Sequence, residues 1–179
     1  MVAVEGEFAL ESANIAYCGI GKINAAMTTQ YVIDKFQPDL IVNMGTAGSS
    51  VYDYGTILSI NQFVQRDMNT TEFMAPKFVC PQTSDNPILE YGEIDNRYLR
   101  GISGTGDTFV RNIACDIWDC VGMEDFAIAW VARENKIPLS VYKFVSDGKN
   151  GDTTDKQWSD VLHEAKEKLE HIGREILQI

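Results

Sequence analysis

The chain has 179 residues, of which 45% are hydrophobic and 23% charged, with a net charge of −11. That length suits one domain, residues 1–179, with a sizeable buried core. The strong negative charge argues against a nucleic-acid or anionic-membrane partner, since both need a basic surface. No apolar run approaches the roughly 20 residues of a membrane span, and the opening MVAVEGEFALES lacks the basic-then-apolar order of a signal peptide. Four scattered cysteines and only two histidines, His163 and His171, give no metal-ligand spacing. They imply no metal and no cofactor, and the thiols read as reduced, in a cytoplasmic setting.

In chain order, Phe8 to Cys18 reads as a strand, the second arm of a hairpin turning at Glu5-Gly6-Glu7. Gly19-Ile20-Gly21 is a tight turn. Ile23 to Phe36 is helical, with Ile23, Ala26, Met27, Tyr31 and Ile33 near one face. Leu40-Ile41-Val42 is a short buried strand leading into a strand-end loop of small residues, Gly45 to Ser50. Thr56 to Val64 is another strand. Asp67 to Asn96, with Pro76, Pro81 and Pro87, is irregular and reads as a lid or insertion wall. Leu99 to Ser103 is a strand ending in Gly104-Thr105-Gly106-Asp107. Cys120 to Met123 is a short strand that ends at Glu124 and leads into an amphipathic helix reaching Lys136.

The stretch Pro138 to Asp152 is the pivot. Leu139 to Val145 is a run of strand formers that stops at Ser146-Asp147 and breaks into Gly148, Asn150 and Gly151. Asp147 either caps the following turn or presents a carboxyl to a ligand at a strand's carboxyl end, where α/β proteins bind ligands. The last helix runs from about Asp155 to the end, with Trp158, Val161, Leu162, Ala165, Leu169, Ile172 and Ile176 as its apolar stripe and both histidines on the surface. Strands alternating with helices predict an α/β fold: three layers, α/β/α, around a mostly parallel mixed central sheet.

Five strand-end segments in order carry a resemblance. Cys18 to Ala26 (CGIGKINAA), Asn43 to Gly48 (NMGTAG), Gly104 to Phe109 (GTGDTF), Val121 to Glu124 with Phe126 to Ala129, and Phe144 to Asp147 with Asp152 resemble motifs of the nucleoside phosphorylase and nucleosidase superfamily. The branch most resembled is the methylthioadenosine/S-adenosylhomocysteine nucleosidases. Each motif alone is weak; five in order are specific.

The resemblance implies hydrolysis of the N-glycosidic bond of an adenine nucleoside in a nucleoside phosphorylase-like fold. It makes Asp147 the acid that protonates the purine at N7, since a protonated base is a better leaving group. Glu124 accepts hydrogen bonds from the ribose 2′ and 3′ hydroxyls and favours an oxocarbenium-like sugar. Met123 lies beneath the ribose, Phe109 stacks on the purine, the Val110 backbone meets the base edge, and Thr46 lies near the sugar and the attacking water. Gly45 and Ser146 complete the substrate-binding set. Read by themselves, Met123 and Phe109 are equally ordinary core residues, and Thr46 a hydroxyl bonded within its own turn.

Phosphorylases of this superfamily place an arginine where this chain has Asn43, which favours water over phosphate as nucleophile. Phosphorolysis and a catalytically impaired nucleoside-binding protein remain the alternatives. The chain departs from the family at its front: an N-terminally shortened start, with the family's glutamate base for water matched by none of Glu5, Glu7 and Glu11, which read as exposed hairpin residues. The sheet edge at Phe8–Cys18 then lacks a neighbour, and a homodimer is expected to cover it.

Overall fold

The computed structural model describes residues 1–11, 13–72, 75–81, 85–110, 115–148 and 158–178, at residue 158 the backbone alone. Helix α1 spans Lys22–Phe36, β1 Ile41–Ser49, β2 Ile57–Gln65, β3 Ile88–Glu90, β4 Leu99–Thr105, β5 Cys120–Gly122, α2 Asp125–Asn135, β6 Leu139–Asp147 and α3 Trp158–Leu177. The sequence-predicted Asp152, the turn residues Asn150 and Gly151, and the side chain of Trp158 lie outside the described residues.

Three layers form around a mixed sheet. β1 lies parallel to β6, and β2, β4 and β5 are mutually parallel. The two groups join antiparallel on both sides: β5 against β1, and the start of β2 (Ile57 to Ser59) against β6. Five strands therefore close on each other, which removes the edges an open sheet would expose. Short β3 pairs with β2 beyond β6. Nothing in the periodicity of β2 marks it for this second, non-local pairing.

Burial follows the period of two. Along β6, Leu139, Val141 and Val145 pack with α1 and α2, together with Leu58, Ile60, Phe126 and Ile128. The alternate residues Tyr142 and Phe144 pack with Val161, Ala165, Leu169 and Ile172 of α3. The α3 stripe is thus the expected one, and both histidines are on the surface.

Four local expectations change. Phe8 to Cys18 is not a continuous strand: residues 1–3 take that place, with Val2 bridging Tyr17 in parallel and Met1 accepting from the Met44 N–H. Gly45 to Ser49 is strand, not loop, because its small side chains allow close packing between neighbouring strands. β3 forms inside the supposedly irregular segment. Finally, α1 buries Ala25, Thr29 and Ile33, while Ile23 (73% exposed), Met27 (69%) and Tyr31 (55%) face outward. The apolar stripe read from the sequence is largely the wrong side of the helix.

Candidate active site

The second half of β1, Gly45 to Gly48, is the floor of the candidate site. Period two puts Lys143 on the same side of β6 as Val141 and Val145, where an ammonium finds no water. It is 3% exposed. A buried charge needs a partner, and the fold supplies one at the start of α2: Lys143 Nζ lies 2.6 Å from Asp125 Oδ1. Asp125 is held in turn by Asn43 Nδ2 (2.9 Å, from β1) and Ser103 Oγ (2.7 Å, from β4). Burial alone would lower the Lys143 pKa, but Asp125, Glu124 and Glu7 raise it above the ordinary lysine value.

A side chain at Gly45 would meet this ammonium: an added Cβ would sit 3.3 Å from Lys143 Nζ and 3.6 Å from both Glu7 carboxylate oxygens. Glycine leaves that space open, and Glu7 enters it. Contrary to the sequence reading, Glu7 is buried, at 5% exposure, while Glu5 and Glu11 are exposed. Residues 4–6 turn through Gly6, which has φ +101°. Glu7 Oε1 then accepts from Thr46 Oγ1 (2.8 Å) and Thr46 N (3.2 Å). The Thr46 hydroxyl is therefore committed to a carboxylate rather than to its own turn.

Glu124 occupies the N-cap position of α2 yet does not cap it. Thr105 of β4 accepts from the Phe126 N–H instead (2.9 Å). The freed Glu124 carboxylate accepts from the Gly21 N–H at the start of α1 (3.0 Å). Burial pushes its pKa above the ordinary 4.5, and Asp125 and Glu7 push the same way. Lys143 and the Gly21 N–H oppose them.

Asp147 ends β6 on the other flank of β1. Ala47 pairs with Val145, but Gly48 pairs with Asp147, so Ser146 is an extra residue in β6. Such a bulge re-aims the following side chain. Ser146 Oγ donates to the Ala47 carbonyl (3.3 Å) and lies 3.4 Å from Asp147 Oδ2. On its opposite side Gly48 pairs with Val121, three residues before Glu124. Gly48 thus lies between Asp147 at the end of β6 and Val121 of β5, with Glu124 three residues beyond Val121.

Met123 and Val110 are half-buried, and Phe109 is 78% exposed, so Phe109 fills no core. It leaves β4 through Gly106 to Thr108, beside the start of α1, where Lys22 N donates to Asp107 Oδ1 (2.8 Å). The structure therefore joins Gly45, Thr46, Glu124 and the Phe109 loop around residues the sequence reading did not choose: Glu7, Lys143 and Asp125. A lysine inside an apolar strand was the one available signal for Lys143. Glu7 had none, since no surrounding motif marks it. Among the described residues no group of three or more His, Cys, Asp or Glu side chains is arranged to hold a metal ion.

A mixed closed sheet with acidic residues at or just beyond its strand ends defines a class, and residues 2–178 match the family model described as Phosphorylase superfamily. The chain belongs to that family. Within it, the chain is 29% identical over 175 residues to 5′-methylthioadenosine/S-adenosylhomocysteine nucleosidase of Anoxybacillus flavithermus, covering 83% of this chain and 75% of the relative. The fold matches the same-named Helicobacter pylori nucleosidase, solved with butyl-thio-DADMe-Immucillin-A, at TM-score 0.78 and 20% identity, covering 97% of this chain and 96% of that one. It also matches futalosine hydrolase of Helicobacter pylori at TM-score 0.81 and 18% identity, covering 99% and 96%.

The raised Glu124 pKa has a stability consequence. A native glutamate that holds its proton more tightly than the unfolded one loses stability as pH rises above 4.5. Glu124→Gln, whose amide oxygen still accepts from Gly21, is expected to melt at or above the wild-type temperature at pH 7–8, with the gap shrinking on acidification toward pH 4. Melting curves across that range check this; a variant less stable at pH 8 than at pH 4, relative to wild type, contradicts it.

Proposed function

We propose that this chain hydrolyses the N-glycosidic bond of adenine nucleosides of the 5′-methylthioadenosine/S-adenosylhomocysteine type, within a single phosphorylase-like domain. The observation that supports this is Glu7 seated against Gly45 and Thr46, with Asp147 paired to Gly48 on one side of β1 and Glu124 following the strand on the other. Glu124 receives the ribose 2′ and 3′ hydroxyls, since one carboxylate accepts from two vicinal donors. Met123 lies beneath the ribose. The base extends toward Phe109, which stacks on it, and Val110, whose backbone meets its edge. Asp147, steadied by Ser146, gives a proton to N7 as the bond breaks. Glu7 draws a proton from water held beside Thr46, over the space Gly45 leaves. The negative site favours positive charge growing on the sugar.

Water suits this site better than phosphate. Asn43 spends its amide on Asp125 rather than on an anion, and Lys143 is already paired. A phosphate dianion would enter among Glu7, Glu124 and Asp125 with no free cation beside it among these groups. Adenine release is therefore expected at the same rate with and without phosphate. Asp147→Asn and Glu7→Gln should each lower kcat by about 10²–10⁴-fold, the usual contribution of general acid or base groups. Release that requires phosphate, or full activity in both variants, would sink this reading.

We also propose a homodimer, and a cytoplasmic site of action in keeping with four free cysteines. Among the described residues, no helix is long and apolar enough to cross a membrane. The outward face of α1 supports the dimer: Ile23, Met27 and Tyr31, with Phe36 at 63% exposure, carry no charge on a chain of net −11. Two acidic copies approach with least repulsion at such a face. Sedimentation at micromolar concentration should give a dimer, and Met27→Glu a monomer; a monomeric wild type contradicts the proposal.

A further inference from the structure

Where β2 and β4 end beside the start of α1, a polar cluster stands apart from Gly45 to Gly48. Arg66 follows β2. Its guanidinium donates to the carbonyls of Gly106 (3.1 Å) and Thr108, and to Thr108 Oγ1 (3.3 Å). The group lies against Gly106: a Cβ there would be 2.8 Å from Arg66 Cζ, so a side chain at this position would push the guanidinium aside. Asp67 grips the same loop from the next position, accepting from the Asp107 N–H (2.9 Å) and from Lys22 Nζ (2.6 Å). Lys22 closes the circuit, its backbone N–H donating to Asp107 Oδ1 (2.8 Å). The residue before it, Gly21, holds Glu124.

Two chain segments, Arg66–Asp67 and Lys22, thus fix Gly106 to Thr108, the backbone from which Phe109 projects. Phe109 itself, 78% exposed, has little packing to hold it. Burial pushes the Asp67 carboxyl up, but the Lys22 ammonium and the Asp107 N–H outweigh it and hold it below the ordinary range, so the clamp is charged at neutral pH. Charge-assisted and forked contacts of this kind fix geometry as well as adding energy.

We infer that Arg66 and Asp67 are positioning residues that preset the base platform and, through Lys22 and Gly21, hold it in register with the ribose carboxylate Glu124. This rests on the nucleoside reading above for the meaning of "base platform", but the clamp itself is testable without any substrate.

Two measurements on the full chain decide it. The first is amide hydrogen exchange of residues 106–108 in ligand-free protein, comparing wild type with Arg66→Met, Asp67→Asn and, as a remote control, Arg97→Met. Exchange is expected to rise about tenfold in both clamp variants, the loss of a charge-assisted contact, and to stay unchanged in the control. The second is steady-state kinetics with 5′-methylthioadenosine. Arg66→Met should raise KM about tenfold with kcat within about twofold, the pattern of lost ground-state binding. In a Phe109→Ala background the same substitution should change KM no further, because it acts through that ring. Unchanged exchange at 106–108 in both folded variants overturns the clamp. Multiplying KM effects, or a fall in kcat with KM unchanged, overturns the link to Phe109. A wild type that turns over no adenine nucleoside would defeat the functional reading and leave the exchange result to judge the clamp. If Arg66→Met does not fold, Asp67→Asn carries both measurements.

Discussion

The ammonium of Lys143 is the constraint from which the rest of the site follows. A cation without access to water is tolerated only where carboxylates surround it, and here Asp125, Glu124 and Glu7 do so. The direct partner, Asp125, is also held by Asn43 of β1 and Ser103 of β4, so β1, β4, β6 and α2 meet at one ion pair. Because the native pKa of Lys143 is raised, its contribution to stability is present throughout the neutral range and is lost only at strongly alkaline pH. The pair fixes the start of α2, and with it Glu124. Gly45, which leaves room for the ammonium, also admits Glu7.

Concentrating acids in this way sets stability against function. Glu124 is held in a place that disfavours its own ionised form, and its charge is tolerated because Lys143 and the Gly21 N–H face it. The same crowding makes the floor hospitable to a growing positive charge and hostile to an incoming anion. Neutral water is the nucleophile such a floor admits most readily. The bulge at Ser146 breaks the alternation on the other flank: it sets Asp147 opposite Gly48, where regular pairing after Val145 would have set it opposite Ser49.

Much of the frame is legible in the sequence because it is periodic. The strand formers of β6 and the stripe of α3 each point to one buried side, and the structure buries those sides. The assignment of Glu124 and Asp147 to one site rests on five motifs in order, since no local pattern links residues 23 apart. Other features fail for definite reasons. The glycines of β1 read as loop residues because glycine serves both turns and close approach, and only the neighbouring strand decides which. On α1, Ile23, Met27 and Tyr31 have helical spacing, yet small Ala25 and Thr29 face the core. Glu7 was invisible because its burial depends on residues 1–3 pairing with β1 and on a contact with Thr46, 39 positions away.

The central claim is that the buried ammonium keeps the site carboxylates ionised and in place. Lys143→Gln tests it most directly, since Asp125 retains Asn43 and Ser103 as donors. The measurement is the pH profile of kcat/KM for adenine release by the folded variant beside wild type. The account predicts that the acidic limb moves to higher pH and the plateau falls, because the carboxylates lose the cation that favours their charged forms. An unshifted limb with an unchanged plateau would contradict it.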